Sequence, residues 1–246
     1  MDIKIFDRIE KKYLINADQE RTILKVVKKQ MKRDNYHKSE VFNVYFDTDN
    51  FDLIIKSIDN PNFKEKLRAR SYGGYDKVFL EIKTKLKEWE RGVPKNKVGY
   101  KRRLLVTHKD YGEFVAGKKT MEELAERKVE LNTDVQIARE VDYLVKTLSL
   151  KPRILVYYDR ESYVGEGGLR ITFDRKLSYR DKDLRFVKKP GDQHFFENPN
   201  DLIMEIKAHG VMPLWLVRTL SRERAFPQQF SKIGKIYEVI QKKGEK

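Results

Sequence analysis

Six short stretches of the chain place charged side chains at every second position. Arg8, Glu10 and Lys12 alternate in "RIEKKYLI", Lys66, Arg68 and Arg70 in "KEKLRARSY", and Glu81, Lys83 and Lys85 in "VFLEIKTKLK". Lys101 and Arg103 follow in "GYKRRLL", Arg170, Thr172 and Asp174 in "LRITFD", and Glu205 and Lys207 in "MEIKAHG". Successive side chains of a β-strand point to opposite faces, so each set shares a face while residues such as Leu67, Ile82, Ile171 and Ile206 occupy the other. The guanidinium fork matches phosphate oxygens, and a face of Arg and Lys with a few carboxylates offers the charge neutralisation that phosphoryl transfer needs.

Two arrangements accommodate such strands. The charged faces can be the solvated outside of an antiparallel sheet, with the apolar faces packed inside. Alternatively the charged faces line an interior and amphipathic helices cover the apolar ones. The predominance of cations on these faces, the abundance of Arg and the presence of several amphipathic helices favour the second. About eight strands close into a barrel wide enough for side chains or one slim ligand.

The elements that must position these residues can be read from periodicity. Alternation predicts strands at 3–15, 41–48, 64–72, 77–87, 97–106, 153–163, 168–175 and 202–209. Helical spacing predicts a helix after Asn16 with Ile23, Val26 and Val27 on one face, and another over 134–150 with Ile137, Val141, Leu144 and Leu148. Shorter helices are expected at 109–116, 120–128, 213–224 and 233–243, and an irregular excursion at 181–200. The turn signals "DNPN", "YGGY", "GEGG" and "ENPN" separate strands, and no long linker or repeat interrupts the chain, so a single domain over 1–246 is expected. The fold class is α+β: an eight-stranded antiparallel β-barrel tunnel with a charged lumen, flanked by helices.

Composition narrows the partners. The 246 residues hold 53 Lys and Arg against 38 Asp and Glu, a net charge of +15 that calls for a polyanion. With 13 Phe and 13 Tyr the chain is too aromatic to be disordered. It has no cysteine, which excludes disulfides and thiolate metal sites. No apolar run approaches the ~20 residues of a membrane span and the first residues lack the apolar core of a signal peptide, so the reading is cytoplasmic. Basic residues sit at strand alternation rather than on one helix or tail, so nucleic acid is not the expected polyanion.

The motifs "RIEKKYLI", "LRARSY", "VFLEIKTK", "VGYKRR", "YDRESY", "LRITFD", "IMEIKAHGVMPLW" and "FSKIGKIYE" resemble, in order and over residues 3 to 240, those of the VTC domain, the polyphosphate polymerase domain of the triphosphate tunnel metalloenzyme superfamily (the CYTH-like proteins). The resemblance implies a tunnel that takes ATP and polyphosphate, tripolyphosphate or pyrophosphate, with Mn2+ or Mg2+ as cofactor. Its phosphate-binding and catalytic positions fall on Lys12, Arg68, Arg70, Lys83, Lys101, Arg160, Arg170 and Lys232, and its metal ligand on Glu205. The hydrolase branch of the superfamily opens with an "ExExK" strand, whereas Arg8 stands at the first acidic position here. The departure points to polyphosphate polymerisation. Hydrolysis of triphosphate or nucleoside triphosphate, or polyphosphate binding without catalysis, are the alternatives. The family's eukaryotic polymerases work within a membrane complex, which implies a membrane-protein partner.

Other residues carry blander readings. His37, His108, His194 and His209 lack metal-ligand spacing and read as structural. Trp89 is expected at a hairpin tip and Trp215 in helix packing. "GEGG" is a turn, since no "GK[ST]" follows it.

Overall fold

The first helix shows how closely local chemistry sets the elements. In the computed structural model Asn16 Oδ1 accepts from the backbone N–H of Asp18 and Gln19, and Gln19 Oε1 accepts from the Asn16 N–H, a reciprocal capping box. It launches α1 (Ala17–Gln30), with Asp18 and Glu20 in its first turn and Lys28 and Lys29 in its last, each sign set against the helix dipole. The structure describes residues 8–59, 62–73, 76–90, 93–126, 132–229 and 231–244.

The long strands are β1 (Arg8–Ile15), β2 (Lys32–Asp47), β3 (Phe63–Tyr72), β4 (Val78–Glu90), β5 (Val93–Val106), β6 (Lys151–Val164), β7 (Arg170–Arg180) and β9 (Leu202–His209). Two-residue strands β8 (Gln193–His194) and β10 (Pro227–Gln228) complete the set. The helices after α1 are α2 (Asp52–Ile58), α3 (His108–Val115), α4 (Met121–Glu126), α5 (Asn132–Thr147), α6 (Leu214–Arg222) and α7 (Lys232–Gly244).

The eight predicted strands thus correspond one to one with the eight long ones, residues 3–7 of the first lying outside the described residues. Closure does not follow. Hydrogen bonding orders the strands β10-β1-β9-β7-β6-β2-β3-β4-β5, with β8 on β7, so the sheet has ten strands rather than eight and no ladder among the described residues joins its two ends. The fold is α+β with an antiparallel sheet. The extra strands are too short to show any alternation, and closure depends on pairing of distant segments that a local pattern does not encode.

The chain divides into two compact units. One takes residues up to Val41, Tyr157–Ser178 and Gly191–Phe230; the other takes Phe42–Val156, Tyr179–Pro190 and the residues from Ser231. In the first, Ile23 and Val27 of α1 and Leu216 and Leu220 of α6 join one buried apolar cluster with Tyr13, Ile15, Ile171, Phe173, Met204 and Ile206. Trp215 packs against this cluster, as expected. In the second, Leu67, Ala69, Leu80, Ile82 and Leu104 are buried on the sheet, and Phe114, Met121, Leu124, Ala138 and Val141 are buried on α3, α4 and α5. Asp142 of α5 caps α4 by accepting the Met121 and Glu122 N–H groups at 2.8 Å.

Helix α2 escaped the sequence reading because it is one short segment nucleated by a residue outside it. Asp47, fully buried, accepts from the N–H groups of Leu53 and Ile54, both at 2.9 Å. The stretch 181–200 is irregular apart from β8, as expected. The segment "GEGG" forms a single tight turn in which Gly168 has φ +74°; a Cβ there would come within 2.3 Å of the His209 ring, so this position is restricted to glycine.

The capping box generates a stability test. Asn16→Ala removes the acceptor for two helix N–H groups, and we expect a loss of roughly 1 kcal/mol in urea denaturation with an unchanged slope against urea concentration.

Candidate functional site

Cross-strand register assembles the predicted cations into rungs. In the second unit, Lys66, Lys83 and Lys101 lie directly opposite one another on β3, β4 and β5, and the next rung is Arg68, Glu81 and Arg103. Paired residues share a face of the sheet, so the alternation read from sequence becomes one cationic surface. Arg70 follows one rung on, opposite Phe79.

Glu81 organises this surface. Its side chain is fully buried and receives Arg68 Nε at 2.8 Å and Nη2 at 2.6 Å on one oxygen, and Lys101 Nζ at 2.6 Å and Arg103 Nε at 2.8 Å on the other. Burial pushes its carboxyl up, but the charges of Arg68 and Arg70 and the Lys101 hydrogen bond outweigh it and hold the group well below the usual carboxylate range. For Lys101, desolvation first, with the neighbouring charges of Arg103 and Arg68, holds the ammonium below its ordinary value against the opposing hydrogen bond and charge of Glu81. Arg103 also lies over the Phe79 ring at 4.5 Å. Arg70 Nε donates to Asn43 Oδ1 at 2.8 Å, which holds it among buried neighbours. Lys66 Nζ reaches Ser231 Oγ at 3.0 Å, and Lys232 opens α7 beside that serine. Arg102, of opposite parity, turns to Glu140 of α5 at 2.7 Å.

The first unit carries its own charged face. Register gives a rung of Glu10, Lys207 and Arg170 and a second of Lys12, Glu205 and Thr172, across β1, β9 and β7. Lys207 Nζ lies 2.6 Å from Glu205 Oε1 and 3.9 Å from Glu10; Lys12 Nζ lies 4.0 Å from Glu10. Arg170 grips Asp34 through Nε at 2.9 Å and Nη2 at 2.8 Å. Arg160 forms a two-pronged pair with the fully buried Asp174, at 2.6 and 2.8 Å. Of the nine sequence candidates, Lys12, Arg160, Arg170 and Glu205 belong to this unit and Arg68, Arg70, Lys83, Lys101 and Lys232 to the other.

Asp34, Asp174 and Glu81 were not singled out as partners of Arg170, Arg160 and Arg103. Arg103 itself, Lys66 and Lys207 were on the right parity and could have been nominated from it. Two of the histidines have partners within the fold: His37 accompanies Glu161 at 3.4 Å on the helix-covered face, where Tyr163 donates to the same carboxylate at 2.5 Å, and His108 meets Ser71 Oγ at 3.1 Å. Trp89 falls near the end of β4 at a register shift in the β4–β5 pairing.

With the geometry in place, a family comparison is decisive: the model of the VTC domain matches residues 7–240. The chain belongs to the VTC domain family. This VTC domain is 27% identical over 152 residues to vacuolar transporter chaperone complex subunit 4 of Schizosaccharomyces pombe, a match covering 56% of the chain and 20% of the relative. The chain therefore spans about a fifth of the length of that curated relative. Among solved structures, the domain shares its fold with a Hippeastrum protein described as a putative adenylyl cyclase with a dominant triphosphatase activity, at a TM-score of 0.53 and 16% identity over 92% of this chain and 93% of the other. A Pyrococcus horikoshii protein, PH1819, aligns over 94% and 98% of the two chains at 16% identity with a TM-score of 0.49. Among the described residues of this VTC domain, no helix is long and apolar enough to cross a membrane.

Glu81 predicts a pH dependence. Its carboxyl is held below its ordinary value of 4.5, so its contribution to stability is present above that pH and drains away as pH falls below it. Glu81→Gln removes this acid limb and leaves three cations without their shared anion. We expect a loss of about 3 kcal/mol near neutrality, the low end for a broken buried pair because Lys101 and Arg103 are 42% and 39% exposed. Denaturant melts from pH 3 to 7 check both effects.

Proposed function

We propose that this VTC domain transfers the γ-phosphoryl group of ATP to a growing polyphosphate chain. The observation that carries the reading is the rung of Lys66, Lys83 and Lys101 beside the Arg68–Glu81–Arg103 rung. Such a surface favours a ligand with charge at every repeat, as a phosphate chain has, and family membership supports that ligand class. Arg68, Arg70, Lys83, Lys101 and Lys232 in one unit, and Lys12, Arg160 and Arg170 in the other, are the proposed phosphate-binding groups.

The acceptor of a polymerase is a terminal phosphate that is already anionic, so no base is required; the protein binds, orients and neutralises. Hydrolysis requires an activated water. Glu81 is a poor base for that purpose because its surrounding cations depress its basicity, and Glu205 is engaged by Lys207. Hydrolysis of triphosphate remains the second reading, favoured by the triphosphatase description of the Hippeastrum protein. Binding without turnover is the third.

The donor set bears on a divalent ion. Among the described residues no three His, Asp or Glu side chains converge to cage a metal. One carboxylate with phosphate oxygens suits an ion carried in by substrate, and Glu205, beside the buried Thr172 hydroxyl that has no hydrogen-bond partner among the described residues, fits that requirement. Glu205 would hold Mn2+ or Mg2+, which would neutralise charge on the phosphoryl oxygens. The chaperone-complex relative supports a protein partner, and the lack of cysteine is compatible with the cytoplasm as working compartment.

The test is incubation with ATP and Mn2+ or Mg2+, with and without a tripolyphosphate primer, followed by resolution of phosphate chain lengths. Longer chains support the polymerase, shortened primer or free phosphate the hydrolase, and no turnover the binding module. Glu205→Gln should abolish metal-dependent turnover and leave polyphosphate affinity intact or tighter. Arg68→Ala or Arg170→Ala should weaken binding and turnover together, by roughly 1.5–3 kcal/mol for each lost charge-assisted contact.

A further inference from the structure

Thr172 is the uncharged member of the rung Lys12, Glu205 and Thr172. Its side chain is only 4% exposed, and Oγ1 has no hydrogen-bond partner among the described residues. Burying a hydroxyl without a partner costs stability, and valine would fill the same β-branched space without that cost. The other polar side chains of this face hold ion pairs: Arg170 with Asp34, Arg160 with Asp174 and Lys207 with Glu205. The apolar residues of β7, Ile171 and Phe173, point to the opposite face and into the core, so the hydroxyl is not oriented there by a packing demand of that core.

We infer that Thr172 is a substrate-contacting residue whose hydroxyl donates a hydrogen bond to an oxygen of the bound phosphate chain, one strand from Glu205 and two residues along β7 from Arg170. The inference rests on the phosphate-binding reading of this face and adds to it a neutral donor. Ammonium and guanidinium groups attract a phosphate chain at many positions along it. A short, stiff hydroxyl donor on a central strand recognises one oxygen at one place, and so sets the register of the chain against Glu205.

The experiment is titration of tripolyphosphate, without metal and at fixed ionic strength, into the wild type, Thr172→Val, Thr172→Ser and Lys12→Ala, together with thermal melting of each ligand-free protein. Thr172→Val is expected to weaken binding roughly ten- to hundredfold, the range for a lost hydrogen bond to a charged group, and Thr172→Ser to stay within about threefold of wild type. The ligand-free Val variant should melt at or above the wild-type temperature. Two outcomes overturn the inference and leave the phosphate-binding reading standing: Thr172→Val binding like wild type while Lys12→Ala is impaired, or a ligand-free Val variant that melts lower and is restored by Ser, which would make the hydroxyl structural. A wild type that does not bind tripolyphosphate overturns both.

Discussion

Like charges set directly opposite one another on neighbouring strands repel, and the second unit places three lysines in that relation at positions 66, 83 and 101. Much of the surrounding structure can be understood as an answer to that repulsion. A single carboxylate, Glu81, is buried in the adjacent rung and shared among Arg68, Lys101 and Arg103. Arg103 spreads its remaining charge over the Phe79 ring, and Lys66 turns to a serine hydroxyl. Arg102, one residue away and on the other parity, is drawn off to α5 by Glu140. The arrangement is held together in the protein alone, but with fewer anions than cations on the face.

The first unit uses a different arrangement. On its charged face two guanidiniums each have a carboxylate of their own: Arg160 takes both oxygens of Asp174, and Arg170 meets one oxygen of Asp34 through two nitrogens. Asp174 is fully buried and Arg160 nearly so, so this pair is fixed in orientation. Arg170 is 35% exposed, which leaves it accessible to an incoming oxyanion while it stays aligned by Asp34. The two units thus offer unlike surfaces, one with a shared counter-ion and one with dedicated ones.

The charged parity was legible in the sequence because a period of two is a local property: the side chains of Arg68 and Arg70 share a face wherever β3 goes. Helices α1 and α5 were legible for the same reason, at a longer period. The partners were not. Asp34 lies 136 residues from Arg170, and its strand begins with the polar run "KRDNYHKSE", which offers no apolar alternation, so periodicity marks only 41–48 as strand. Closure of the sheet was inferred from the number of strands, yet number does not determine which ends pair. Thr172 is visible on the charged parity, but only its burial and the lack of a hydrogen-bond partner among the described residues distinguish it from a residue placed there for β-propensity.

The pairing of β1 has a consequence for how the chain is made. Its ladder partners are β9 and the short β10, which lie near the opposite end of the described chain, and α1 rests on a core completed by residues of β7, β9 and α6. Among the described strands β1 is made long before its ladder partners, an unpaired edge on a nascent polypeptide while β3, β4 and β5 can already zip up as neighbouring hairpins. An exposed edge of that kind invites association with other chains, and alternating charge is one of the devices that discourage it. The charges of Glu10, Lys11 and Lys12 on this strand are of the kind that disfavours pairing of an exposed edge with other chains, and they act on β1 before β9 exists to cover it.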